Sequence, residues 1–242
     1  MKRVTDIFSK TFNEHEQNKF DYKVVVICFL TAVCLTMNKY LPEMKIFFHF
    51  SENEQLSQLG NWVFVLFTFY FIVPALVIKF LFKENLSDYG LRWKGAFKDY
   101  WLYIVMLCVM IPLVAFFSTT ASFQARYPFY DLAQGEKLYH NFWIWEAFYF
   151  LQFFALEFFF RGFMTHGLKK RFGFYSVFVM TIPYCMIHFG KPFTETLAAI
   201  IAGMVLGCLS LKNKSIIVGF LIHVSVGLGM DMAAIWQKGF FE

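Results

Sequence analysis

The sequence predicts an all-α fold: a polytopic membrane helix bundle of about seven transmembrane helices. Of its 242 residues 58% are hydrophobic and only 16% charged, and the mean hydropathy is +0.51, outside the range of ordinary water-soluble domains. The apolar residues gather into runs of roughly 20, the length a helix needs to cross a hydrocarbon core. Most of the charges fall between those runs.

Residues 1–23 mix Lys2, Arg3, Lys10, Lys19 and Lys23 with Asp6, Glu14, Glu16 and Asp21, and read as a cytosolic or interfacial segment. Residues 24–242 read as a single membrane-embedded helical domain. Its first span is expected over 24–41, closed by Pro42, and its second over 61–82 after a polar loop at 43–60, with Pro74 as a kink. A basic connector, 83–95, leads to a third span at 100–117. The fourth runs from 142 to 169 or 170 and ends before Gly173. The last three are expected over 174–189, 195–211 and 215–236.

Outside these spans, Lys and Arg number fourteen on the N-terminal side of the membrane and six on the other. By the positive-inside rule the N-terminus is cytosolic and the C-terminus outside, in an integral protein of the plasma membrane. The net charge of +5 is explained by this topology, and no basic cluster interleaves with aromatics, so nucleic acid is not an expected partner. Cys28, Cys34, Cys108, Cys185 and Cys208 lie in apolar runs without metal-site spacing and read as small buried residues.

Within the apolar runs a few ionisable residues stand out, because charge in hydrocarbon is costly and marks function by default. Glu157 and Arg161 are four apart in Ala155-Leu-Glu-Phe-Phe-Phe-Arg-Gly-Phe163, on one helix face. Counted from the cytosolic helix ends, Glu157 lies about 18 Å deep, His188 about 21 Å and His223 about 12 Å. Groups at comparable depth on three helices are cheapest facing one another. Asp231 lies about 80° around the helix from His223, and Glu195 sits near the outer interface. Glu146 is expected at that interface between tryptophans, and His166 in solvent near the cytosolic end.

A carboxylate with two imidazoles in a secluded cavity suits activation of water for peptide hydrolysis. Glu157 would act as general base, or as a ligand and orienting group, with His188 and His223 assisting and Arg161, Asp231 and Glu195 in support. The same Glu157, His188 and His223 could hold a divalent metal such as zinc, or work without one. An HExxH zincin motif is absent.

At these residues the chain resembles the CPBP family of intramembrane proteases, the CAAX prenyl protease type 2 and bacteriocin-processing group also called Abi. The resemblance covers about residues 85–232. It is carried by Glu157-Phe-Phe-Phe-Arg161-Gly, the helix ending in His188, Ala202-Gly-Met-Val-Leu-Gly207, the helix with His223, and the connector Tyr89-Gly-Leu-Arg-Trp. It implies an intramembrane endopeptidase acting on a membrane-associated or lipidated peptide or protein. The alternative is a noncatalytic member serving as a peptide-binding or bacteriocin-immunity protein. Two positions depart from the family pattern: its first Glu aligns with Leu156, and the polar residue four after its last His aligns with Gly227. Gln152 lies one turn before Leu156, but an amide is no base.

Overall fold

The computed structural model describes residues 20–44, 48–49, 51–132 and 140–239, so most of the N-terminal segment 1–23 lies outside the described residues. The described residues are all-helical, with no strand. Among the described residues six helices are long and apolar enough to cross a membrane. They are α1 (Tyr22–Tyr40), α2 (Glu54–Leu81), α3 (Tyr100–Phe117), the stretch Asn141–Met186, α6 (Phe193–Asn213) and α7 (Ile217–Gln237). The 46-residue stretch is really two helices, because Gly173 breaks it at φ 55°, ψ −131°. Its first part, α4, comprises Asn141–Glu157, a widened π-helical segment Phe158–His166, and Gly167–Phe172. Its second, α5 (Ser176–Met186), packs back against the π segment. The helix count is thus about seven, as expected.

Boundaries differ where polar residues obscure a helix. α2 starts at Glu54, inside the expected polar loop, because the Asn53 side chain caps it by accepting from the Leu56 amide at 2.9 Å. Around Pro74, which cannot donate to the ladder, α2 opens into π-helical turns at Thr68–Ile72 and Val77–Leu81. α5 is only 11 residues long, short for a full crossing, and ends in a turn carrying His188.

α4 is the axis of the bundle: no residue from Ala155 to His166 faces solvent, and the side chains of Phe158, Phe159, Phe160 and Phe163 are fully buried. Tyr70 of α2 stacks on Phe159 at 4.5 Å, and Tyr184 of α5 meets Phe160 edge-on at 5.3 Å. The outer helices instead expose apolar side chains, such as Ile104, Val109 and Ile111 of α3, as a lipid-facing surface requires. Cys28 and Cys108 lie on that exposed surface rather than in the core, since their helices pack on one side only; Cys34 is buried as expected.

The basic connector closes one end of the bundle. Gly90, at φ 83°, turns its carbonyl to accept from the Ile216 amide at 2.9 Å, and the Arg92 carbonyl accepts from Ser215 Oγ at 2.7 Å. Glu84 accepts from Tyr89 and pairs with Lys23 at 2.6 Å, tying the connector to α1.

Candidate functional site

The pair that drew attention in the sequence is fully buried in α4: Arg161 Nη1 lies 3.0 Å from Glu157 Oε1, with both side chains 0% exposed. Two other helices complete its surroundings. His223 of α7 donates through Nδ1 to Glu157 Oε1 at 2.8 Å, which leaves its Nε2 unprotonated, as an acceptor. Gly219, one turn earlier in α7, provides the room, since a Cβ there would stand 3.0 Å from Glu157 Oε2. From α5, Tyr184 lays its ring over the guanidinium of Arg161, 3.8 Å from centroid to Cζ, and its hydroxyl lies 3.4 Å from His223 Nε2.

His188 follows Tyr184 by four residues, and the two rings meet edge-on at 4.8 Å. Its Nδ1 bonds the Tyr184 carbonyl at 2.8 Å, again leaving Nε2 free. Thr196 of α6 holds the His188 carbonyl at 3.0 Å, so the α5–α6 turn is fixed from both sides. The structure therefore brings Glu157, Arg161, His223 and His188 into one cluster, joined by Tyr184.

A cavity of about 580 Å³ adjoins this cluster. His188, His223, Tyr184, Gln152 and Leu156 line it, whereas Glu157 and Arg161 do not. Glu157 stands behind His223 and does not face the cavity as a general base would. Its neighbour Leu156, at the position of the family's first Glu, does face it. The missing polar residue at 227 has a steric cause: a Cβ on Gly227 would fall 2.5 Å from the Phe153 ring, which stacks on His223 at 4.7 Å.

The remaining candidates are placed elsewhere. Glu195 lines the outer part of the cavity, pairs with Lys191 at 2.6 Å and accepts from Tyr127 at 2.9 Å. Asp231 lies apart from the cavity, accepting from the Phe129 amide at 3.0 Å and meeting Glu146. Glu146 is accordingly buried, 2% exposed, and not interfacial, because Asp231 and the rings around Trp145 cover it. His166 is also buried rather than solvated, bonded to Ser210 of α6 at 3.0 Å. Among the described residues no three His, Cys, Asp or Glu come together as metal ligands.

Sequence reasoning missed Tyr184, the residue that touches Arg161, His188 and His223 together. Its i, i+4 spacing from His188 was the available signal. Counting only ionisable groups passed over it.

Residues 138–228 match the family model for Rce1-like proteins, described as type II CAAX prenyl endopeptidase Rce1-like. That segment includes the whole cluster. The segment is similar to a CPBP-family domain. The match supports a CAAX-type intramembrane protease kind of function in an integral, multi-pass membrane protein. No curated protein and no solved structure matches the chain.

Proposed function

We propose that the protein is an intramembrane endopeptidase that hydrolyses a peptide bond in a membrane-associated or lipidated substrate, with His223 as the base. The observation that carries this reading is the relay Glu157–His223–cavity. Glu157 accepts the Nδ1 proton of His223, fixes the ring's tautomer and leaves Nε2 directed away from the carboxylate. In this arrangement Nε2 takes a proton from a water in the cavity while the water oxygen attacks the peptide carbonyl. The same nitrogen returns the proton to the departing amine as the C–N bond breaks. Glu157 stabilises the imidazolium formed in between, and Arg161 holds Glu157 in place through their ion pair. His188 lines the same cavity with Nδ1 engaged by the Tyr184 carbonyl, so its Nε2 would position the water or the substrate amide.

A second reading is a noncatalytic, peptide-binding member of the family, favoured by Leu156 lining the cavity where the family has a carboxylate. The test is cleavage of apolar and prenylated fluorogenic peptides by the purified protein in bilayers. His223→Ala is expected to abolish cleavage and Glu157→Gln to reduce it 10²-fold or more, on the order of what a general base contributes. Cleavage that persists in His223→Ala refutes the proposed mechanism, and none by the parent chain favours the binding reading.

A further inference from the structure

The cavity is polarised along the bundle. Its charged lining residues, Lys39, Arg126, Lys191 and Glu195, gather at one end, which we take as its mouth. At the opposite end the bundle is shut by the Gly90–Ile216, His166–Ser210 and Ser215–Arg92 contacts. No residue of that closed end lines the cavity. The closed end is also the basic one: Lys23, Lys83, Lys94, Lys169, Lys170 and Lys214 all belong to it. A cytosolic location of the basic end therefore puts the mouth on the other face of the membrane.

The lining of the cavity also has a specific unmet need. The side-chain carbonyl of Gln152 is buried and has no hydrogen-bond partner, although the residue is only 5% exposed and lines the cavity. An unpaired buried amide costs about 1–3 kcal/mol, which a ligand with its own amide groups would recover. A hydrocarbon chain offers no such group. The rest of the lining, including Leu35, Leu66, Met106 and Ile222, is apolar.

We propose that this cavity is filled from the non-cytosolic side by an extended apolar peptide segment, one of whose backbone amides pairs with the side chain of Gln152. The choice of a peptide rests on the reading above; the side of entry does not. Arg126 at the mouth stacks on Phe129, 4.9 Å from the ring centroid, and is solvent-exposed, so it provides a marker of the opening.

The experiment replaces the five cysteines with alanine and adds either Arg126→Cys at the mouth or Lys94→Cys at the basic end. On intact cells a membrane-impermeant maleimide is expected to label Arg126→Cys at least tenfold faster than Lys94→Cys, with the order reversed in inverted vesicles. Externally added acetyl-tetraleucine-amide is expected to slow labelling of Arg126→Cys. Adding Gln152→Met should raise the peptide concentration needed about tenfold, while Gln152→Asn, which keeps an amide, should retain most of the protection. Labelling of Arg126→Cys only in inverted vesicles, or equally from both faces, overturns the proposal. So does a lack of protection, or protection unchanged by Gln152→Met. Labelling and protection that hold in a chain unable to cleave would refute hydrolysis alone.

Discussion

The guanidinium carbon of Arg161 lies 3.8 Å from the centroid of the Tyr184 ring while Nη1 of the same group stands 3.0 Å from Glu157 Oε1. Arg161 is thus held between a carboxylate and an aromatic face, with no exposure to solvent. Removing one partner of such a buried pair strands the other charge, at a cost of about 3–5 kcal/mol. Arg161→Met is therefore expected to lower the thermal unfolding temperature in detergent sharply. The double variant Glu157→Gln with Arg161→Met should recover more than half of that loss. Equal instability of the single and double variants would show that Glu157 is not the charge Arg161 balances.

Gly227 and Phe153 give a second prediction, about the position where the family carries a polar residue. A Cβ at 227 would stand 2.5 Å from the Phe153 ring, and the contact lies on a packed ring rather than a flexible chain end. Restoring a polar side chain with Gly227→Asn should therefore destabilise by about 1–3 kcal/mol, the usual cost of overpacking. Combining it with Phe153→Ala should relieve the clash but also remove the ring stacked on His223. A Gly227→Asn variant as stable as the parent would mean that Phe153 moves aside easily.

Glu146 and Asp231 meet in the interior of the bundle, and neither oxygen of Glu146 has a hydrogen-bond donor among the described residues. Two buried carboxyls in contact cannot both carry charge cheaply. Glu146→Gln, which supplies an N–H toward Asp231, should be as stable as the parent or more so. Asp231→Leu should lose about 1–3 kcal/mol, because the Phe129 amide is left without its acceptor. Thermal melts of the two variants check this; a destabilised Glu146→Gln would contradict it.

These cases also indicate how much was legible in the sequence. The fold class and most spans follow from apolar run lengths, and Glu157, Arg161 and His223 from spacing and depth. What the sequence concealed depends on partners distant along the chain. His166 is buried because Ser210 receives it, and Glu146 because Asp231 does. The facing of Glu157 away from the cavity is equally nonlocal, since His223 of α7 stands between them. The start of α2 at Glu54 was hidden because its first turn is polar, although Asn53 is a recognisable cap.

The Lys23–Glu84–Tyr89 knot yields a prediction with a definite pH sign. Burial pushes the Glu84 carboxyl upward, but bonds from Lys23 and Tyr89 outweigh it and hold the group below its ordinary value of 4.5. A carboxyl with a lowered folded value contributes stability that is fully present above its unfolded value and fades as the pH falls through the folded one. Lys23→Met should therefore melt below the parent at pH 7, and the gap should narrow once the pH falls below the ordinary 4.5 and through the lowered folded value. Because Glu84 is partly exposed, the gap should be modest and shrink with salt. A gap that stays constant from pH 7 to pH 3 would assign the contribution of Lys23 to its stacking over Phe82 and Tyr89, at 5.2 and 5.0 Å, rather than to Glu84.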